Sequence, residues 1–299
     1  MRNRYHRVLV TGAAGMFGLE LCIALEANGN DLIRGVHTMP RNAGSTYITL
    51  DITDPNSISQ ALDSCHPDLV INCAAYTMVD MAESEPELAM LINGIGPGFL
   101  AEACQRRKIA LASISTDYVF DGDKGSGYVV TDTPNALGAY AASKLAGEVS
   151  VRQYTEFFWI IRTSWLYGIH GRCFPQIILN AAMEGRQLRV VADQIGCPTY
   201  TIDLADAIIR IVQTAPFGIY HAAGAGSTSW YNFARKTLEL AGIDYPVARI
   251  TTIEWPTPAR RPPNSTLLSQ AMQKAGLAPI RPWEEGLADY IKELRATRT

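Results

Sequence analysis

Short apolar runs alternate with amphipathic stretches from the start of the chain. RVLV (7–10) leads into a stretch with apolar positions at helical spacing over Met16–Ala27, followed by DLIRGV (31–36), STYITLDI (45–52) and a helical pattern near Ser57–Ser64. The alternation continues through DLVINCAA (68–75), a long helix around Glu87–Arg106, IALASIST (109–116), a helical run of small residues at AYAASKLAGE (139–148), and FFWIIRTSW (157–165). Apolar runs this short read as strands buried on both faces, and strands that alternate with helices need crossover connections. Right-handed crossovers build a parallel sheet covered on both sides. The expected fold class is therefore α/β, a doubly wound, Rossmann-like parallel sheet.

After Trp165 the regularity degrades. CPTY (197–200), YPVA (245–248), WPTPARRPPNS (255–265) and APIRPW (278–283) concentrate prolines and aromatic residues that do not suit a buried parallel sheet. TIDLADAIIRIVQT (201–214) reads as an amphipathic helix and GIYHAAG (218–224) as a strand, so the chain is expected to return to the sheet once. This predicts a main domain made of 1–165 and 201–224, and a smaller lobe made of 166–200 and 225–299.

The 299 residues are 47% apolar and 18% charged, enough for a sizeable core. Twenty-six basic residues against twenty-nine acidic ones give a formal charge of −3, and no basic run appears, which argues against a nucleic-acid partner and for a small molecule. Six scattered cysteines without a C-x-x-C pair read as free thiols of a reducing compartment, with no zinc site or disulfide framework. No stretch approaches the roughly 20 apolar residues of a membrane span. A cytoplasmic protein without a membrane partner is the expectation.

VLVTGAAGMFGLEL (8–21) has the order strand, glycine turn, helix, with Gly12, Gly15 and Gly18 spaced G-x-x-G-x-x-G. Such glycines permit a sharp turn, a close approach of backbone to a pyrophosphate and tight packing of helix on sheet, while the helix N-terminus faces the anion. Met16 and Phe17 join the three glycines as cofactor-binding candidates. An acidic residue at the tip of the second strand would favour NAD, but the tip here is Gly35-Val36-His37 and Asp31 stands at the other end. Arg34, His37 and Arg41 are of a type that meets a 2′-phosphate, so NADPH is expected, with NADH still open. Ordinary solvated side chains are the bland reading of these three.

Tyr140 and Lys144 lie one helical turn apart and can point into the same space. Together with the glycine loop they make the chain resemble the extended short-chain dehydrogenases/reductases. NCAAYTMVDMAESEPE (72–87), STDYVFDG (115–122), AYAASKLAGE, RTSWLYG (162–168), DQIGCPTY (193–200), TSWYNFA (228–234), RPPNSTL (261–267) and RPWEEGL (281–287) narrow the resemblance to the dTDP-4-dehydrorhamnose reductases, over nearly the whole chain. That resemblance implies reduction of the 4-keto group of dTDP-4-dehydro-L-rhamnose, a dTDP-4-keto-6-deoxy sugar, with NAD(P)H. It places the catalytic triad on Thr116, Tyr140 and Lys144, with Tyr140 as proton donor, its acidity raised by the lysine charge, and Thr116 steadying the oxyanion. Lys144 also bonds the cofactor ribose in that scheme, and His37, Asp51, Ile52, Ala74, Ala75 and Tyr76 complete the cofactor set.

For the substrate the resemblance points to Val79, Asp80, Asp117, Tyr118 and Trp165 around the sugar, and to Arg261 and Asn264 for the nucleotide diphosphate. A salt bridge within the small lobe is the bland alternative for Arg261. Sugar-nucleotide 4,6-dehydratases carry a Thr-Asp-Glu set, whereas Tyr118 follows Asp117 here, which favours plain reduction. Gly138 and Ala141 depart from the asparagine and glycine usual around the family's tyrosine. Some members bridge a dimer through magnesium held by glutamates; Glu20 matches one position and the second is replaced within TIDLAD, so no metal is expected and a homodimer stays open. Two rivals remain: a non-catalytic NADP-binding subunit resembling the regulatory subunit of methionine adenosyltransferase, and a reductase for another 4-keto-6-deoxy sugar nucleotide.

Overall fold

The computed structural model describes residues 4–41 and 44–297. β1 (Arg7–Thr11) runs through a glycine turn into α1 (Met16–Ala27) and back to β2 (Asp31–Val36); β3 (Tyr47–Thr49), α2 (Pro55–Cys65) and β4 (Leu69–Asn72) continue the cycle. α2 begins where the Asp54 carboxylate accepts from the Asn56 N–H and Pro55 supplies a preset φ. The helix predicted over 87–106 takes three pieces: α3 (Pro86–Met90), a π turn (Leu91–Ile95) and α4 (Gly96–Arg107). β5 (Ala110–Thr116), a 3-10 turn over Asp117–Val119, α5 (Gly138–Tyr154) and β6 (Phe158–Thr163) follow.

The chain then leaves the sheet as β7 (Leu166–Tyr167), α6 (Phe174–Met183), β8 (Leu188–Val191), β9 (Ile195–Gly196) and β10 (Thr199–Tyr200). It returns as α7 (Thr201–Thr214) and β11 (Gly218–His221), and ends with β12 (Thr228–Ser229), α8 (Trp230–Ala241), β13 (Val247–Ile250), α9 (Gln270–Lys274) and α10 (Trp283–Ala296).

Seven parallel strands form the central sheet in the order β11-β6-β5-β4-β1-β2-β3. Alternate residues serve opposite faces: Val8, Val10, Leu69, Ile71 and Ile161 meet α1 and α7, while Leu9, Val70, Leu111 and Ile160 meet α2, α4 and α5. This two-sided burial is why the strands read as unbroken apolar runs. The predicted strand over 45–52 shrinks to Tyr47–Thr49, because Asp51 folds back to accept from the N–H and hydroxyl of Thr53. Strand order reverses between β1 and β4, so a crevice opens at their carboxyl ends.

A second core sits beside this crevice, around Tyr167, Tyr200, Phe233, Trp283 and Tyr290. Its aromatic rings pack at 5.5–5.6 Å centroid separations, and short strand pairs, β7 with β10, β9 with β12 and β8 with β13, help to tie it together. Met272 of α9 and Ile280 reach back into the core under the sheet. Among the described residues no helix is long and apolar enough to cross a membrane.

Candidate active site

The glycine turn after β1 packs without room for side chains. Gly12 has φ +65°, and a Cβ there would stand 2.7 Å from the Ala74 nitrogen; one on Gly18 would stand 2.2 Å from the Gly12 oxygen. Gly15 is the N-cap of α1, which has no side-chain cap and no acidic residue in its first turn. The open N–H groups and the helix dipole there fit the pyrophosphate of a dinucleotide.

The turn forms one end of a cleft of about 1000 Å³ between the sheet and the aromatic core. Gly12, Gly15, Met16, Phe17, Gly18, His37, Asp51, Ile52, Ala74 and Ala75 line that end. His37 Nε2 lies 3.7 Å from Asp51 Oδ2, whose carboxyl is held below its usual range chiefly by the Thr53 hydroxyl. Arg34 does not join them. It is buried under the sheet edge, paired with Glu26 at 2.6 Å and bonded to Thr46, so it offers no fork to a 2′-phosphate. Arg41 lies outside the cleft lining, and Tyr76 points away, its hydroxyl donating to Glu85 at 2.7 Å.

At the other end Thr116, Tyr140 and Lys144 all face the cleft. β5 delivers Thr116 at its last residue, and α5 presents Tyr140 and Lys144 on one face. Lys144 Nζ donates to the Ile114 carbonyl at 2.7 Å, which fixes the ammonium under the cleft floor. Burial draws this ammonium down to about 8, with Glu148 and then Cys73 opposing the shift. The Tyr140 phenol is pushed up to about 12 by burial, with the Thr116 hydroxyl lowering it and the Asp117 carboxylate raising it. The expectation that Lys144 makes this phenol acidic is therefore corrected: burial governs it, and the groups that modulate it are Thr116 and Asp117. The phenol holds its proton at neutral pH, as a proton donor needs to.

Asp117, Val79 and Trp165 also line the cleft. Asp117 is buried, accepts from the Thr116 hydroxyl at 3.0 Å, and is pushed up to about 7 by burial. Trp165 adopts φ +47°, a left-handed conformation costly for a bulky side chain, and stacks on Trp230 at 3.5 Å with the rings within 7° of parallel. Tyr118 stands behind the lining, edge-on to Tyr140 at 6.0 Å, where it braces that ring. Asp80 and Arg261 pair with each other at 2.8 Å outside the lining, and Asn264 bonds the Lys124 carbonyl and Thr266. The salt bridge weighed for Arg261 thus exists, although it links the loop after β4 to the C-terminal segment rather than closing within the lobe.

Glu20 is buried, with Thr201 Oγ1 at 3.5 Å and His170 Nε2 at 3.6 Å. Among the described residues no group of three or more histidine, cysteine or acidic side chains is arranged to hold a metal. Trp230, Arg172 and the apolar wall of Leu88, Leu91 and Ile92 line the cleft without having been singled out in the sequence. Trp230 lies inside the TSWYNFA motif, so a signal for it existed; Arg172 lies in the loop before α6 and the wall on the helical stretch over 87–106, with nothing to mark them.

The chain is 40% identical over 290 residues to a dTDP-4-dehydrorhamnose reductase of Mycolicibacterium smegmatis, covering 95% of this chain and 85% of that one. It is 38% identical over 293 residues to a Streptomyces antibioticus protein named "Probable dTDP-4,6-dihydroxy-2-methyloxan-3-one 4-ketoreductase", covering 97% and 96%. The crystal structure of dTDP-4-dehydrorhamnose reductase from Bacillus anthracis in complex with NADP superposes with a TM-score of 0.91 at 37% identity, over 98% of this chain and all of that one. Residues 6–296 match the family model described as RmlD substrate binding domain, and the chain belongs to that family.

Proposed function

We propose that the protein reduces the 4-keto group of dTDP-4-dehydro-L-rhamnose to give dTDP-L-rhamnose, with NADPH as the reductant. The observation that carries this reading is the convergence of Thr116, Tyr140 and Lys144 on the cleft whose far end is the glycine turn. In this reading the segments 1–165 and 201–224 hold the dinucleotide, and 166–200 and 225–299 hold the sugar nucleotide. NADPH, when bound at the α1 N-terminus, supplies the hydride that reaches C4. Tyr140 gives its phenolic proton to the C4 oxygen, an alkoxide being the stronger base. Thr116 turns its hydroxyl from Asp117 to that oxygen and donates a hydrogen bond to it as charge develops. Lys144 remains largely charged at neutral pH and, in this reading, bonds the nicotinamide ribose of the bound dinucleotide. Asp117 and the Trp165 ring orient the sugar ring.

NADPH oxidation with enzymatically generated dTDP-4-dehydro-L-rhamnose tests the reading. Turnover is expected, and Tyr140→Phe is expected to lose at least about a hundredfold in kcat, a typical contribution of a positioned acid. Wild-type rates from Tyr140→Phe would remove the assigned acid. A reductase for a different dTDP-4-keto-6-deoxy sugar is the second reading, favoured by the likeness to the Streptomyces antibioticus ketoreductase. The configuration at C4 of the isolated product, read by NMR, separates the two.

A further inference from the structure

Reduction of a sugar nucleotide by a dinucleotide brings two diphosphates into one cleft, and each leaves water favourably only against positive groups and hydrogen-bond donors. The basic side chains facing the cleft are His37, Lys144 and Arg172. Lys144 is committed to the Ile114 carbonyl at the catalytic end, and His37 stands beside Asp51. Arg261, the arginine that the sequence motifs single out for a diphosphate, already forks onto both Asp80 oxygens at 2.9 and 2.8 Å and bonds the Ala259 carbonyl. Arg172 is exposed into the cleft and makes no hydrogen bond or ion pair to any described residue.

Its backbone position is built rather than incidental. A Cβ on Gly171 would stand 2.8 Å from Met16 Cβ, so the chain just before Arg172 is pressed onto the first residue of α1, whose N-terminus is uncapped. Arg172 also directly precedes Cys173, the N-cap of the ten-residue α6, which likewise has no side-chain cap and carries proline in its first turn. One uncommitted guanidinium thus lies on the wall of the cleft, next to the residue pressed onto the open N-terminus of α1. We propose that Arg172 grips a nucleotide diphosphate there. The guanidinium fork suits paired phosphate oxygens, and the α1 N-terminus reinforces it. The inference rests on the proposed function only for which two nucleotides enter.

The test titrates wild type, Arg172→Met and Arg172→Lys separately with NADPH, by nucleotide fluorescence, and with dTDP, by calorimetry. Arg172→Met is expected to weaken at least one of the two by fivefold or more, with Arg172→Lys recovering part of the loss and the thermal midpoint of the free protein unchanged. A loss confined to NADPH assigns Arg172 to the dinucleotide pyrophosphate, and a loss confined to dTDP assigns it to the sugar nucleotide. If Arg172→Met binds both within less than fivefold of wild type, the proposal is overturned. Binding is read without turnover, so a protein that proved inactive on the keto-sugar would still decide the matter.

Discussion

Two buried side-chain atoms lack a hydrogen-bond partner among the described residues, Asp117 Oδ2 and Thr163 Oγ1, and both belong to residues lining the cleft. Buried polar groups are otherwise satisfied in folded proteins, so orphans gathered at one place mark where a ligand supplies the missing partner. For Asp117 this has a thermodynamic consequence. Its carboxyl is pushed up to about 7 by burial, with the Thr116 hydroxyl on the other oxygen pulling the other way. An acid whose folded pKa is raised binds more protons folded than unfolded, so its ionisation destabilises the fold. The penalty starts near pH 4, where the unfolded chain ionises, grows up to about 7 and is constant above. Asp117→Asn should therefore raise the melting temperature, hardly at all at pH 4 and fully at pH 8, while weakening binding of the sugar nucleotide. A melting-temperature gain of equal size at both pH values would show that the carboxylate charge is not the cause.

At the scale of elements, α5 carries the chemistry. Tyr140, Lys144 and Glu148 recur at one helical turn each, and the third member is the one with no place in the proposed reaction. Glu148 is buried, takes both oxygens to Arg162 at 2.9 and 2.6 Å, and accepts from Ser115, the neighbour of Thr116, at 2.5 Å. The pair locks the catalytic helix to β5 and β6, and its negative member holds the Lys144 charge up. Glu148→Gln leaves a buried guanidinium unpaired and should cost about 3–5 kcal/mol in denaturant unfolding. Glu148→Gln with Arg162→Met should recover much of that. The alkaline limb of kcat/KM, expected near pH 8 where Lys144 discharges, should move to lower pH in Glu148→Gln; an unmoved limb would disconnect Glu148 from Lys144. The start of the same helix is held from outside: Gly138 has φ +82°, Leu137 gives no side-chain cap, and Glu83 accepts from the Ala139 N–H at 2.8 Å. None of these partnerships was legible in the sequence. The helix itself was, because a face of small residues bearing Tyr and Lys has a helical period, and α1 and α7 were read to their end residues for the same reason. Periodicity reports local packing, whereas Arg162 for Glu148, Glu26 for Arg34 and Asp80 for Arg261 are tertiary choices that decide which charges stay free for ligands.

The molecule as a whole joins its two cores more tightly than the pattern of runs conveys. The break in regularity after Trp165 marked the aromatic core, and the return through α7 and β11 was visible as a helix and a strand. The further return was not: α9 is five residues long, too short for a periodic signal, yet Met272 is fully buried against the sheet core, with Ile280 beside it. The sheet is thus completed by residues that follow the aromatic core in the chain, and neither part can close its apolar surface without the other. Cooperative unfolding follows, since opening the C-terminal segment uncovers the underside of the sheet. Met272→Ala should cost about 2–5 kcal/mol, the range for truncating a buried long side chain, and the loss should appear in one shared transition rather than in a separate melting of the C-terminal core. Calorimetry on wild type and Met272→Ala, with tryptophan fluorescence for the stacked Trp165 and Trp230 and far-ultraviolet dichroism for the helices, reads this directly. Two resolved heat-absorption peaks, only one of them shifted by Met272→Ala, would mean that the cores stand independently and that the cleft between them is free to open without unfolding either.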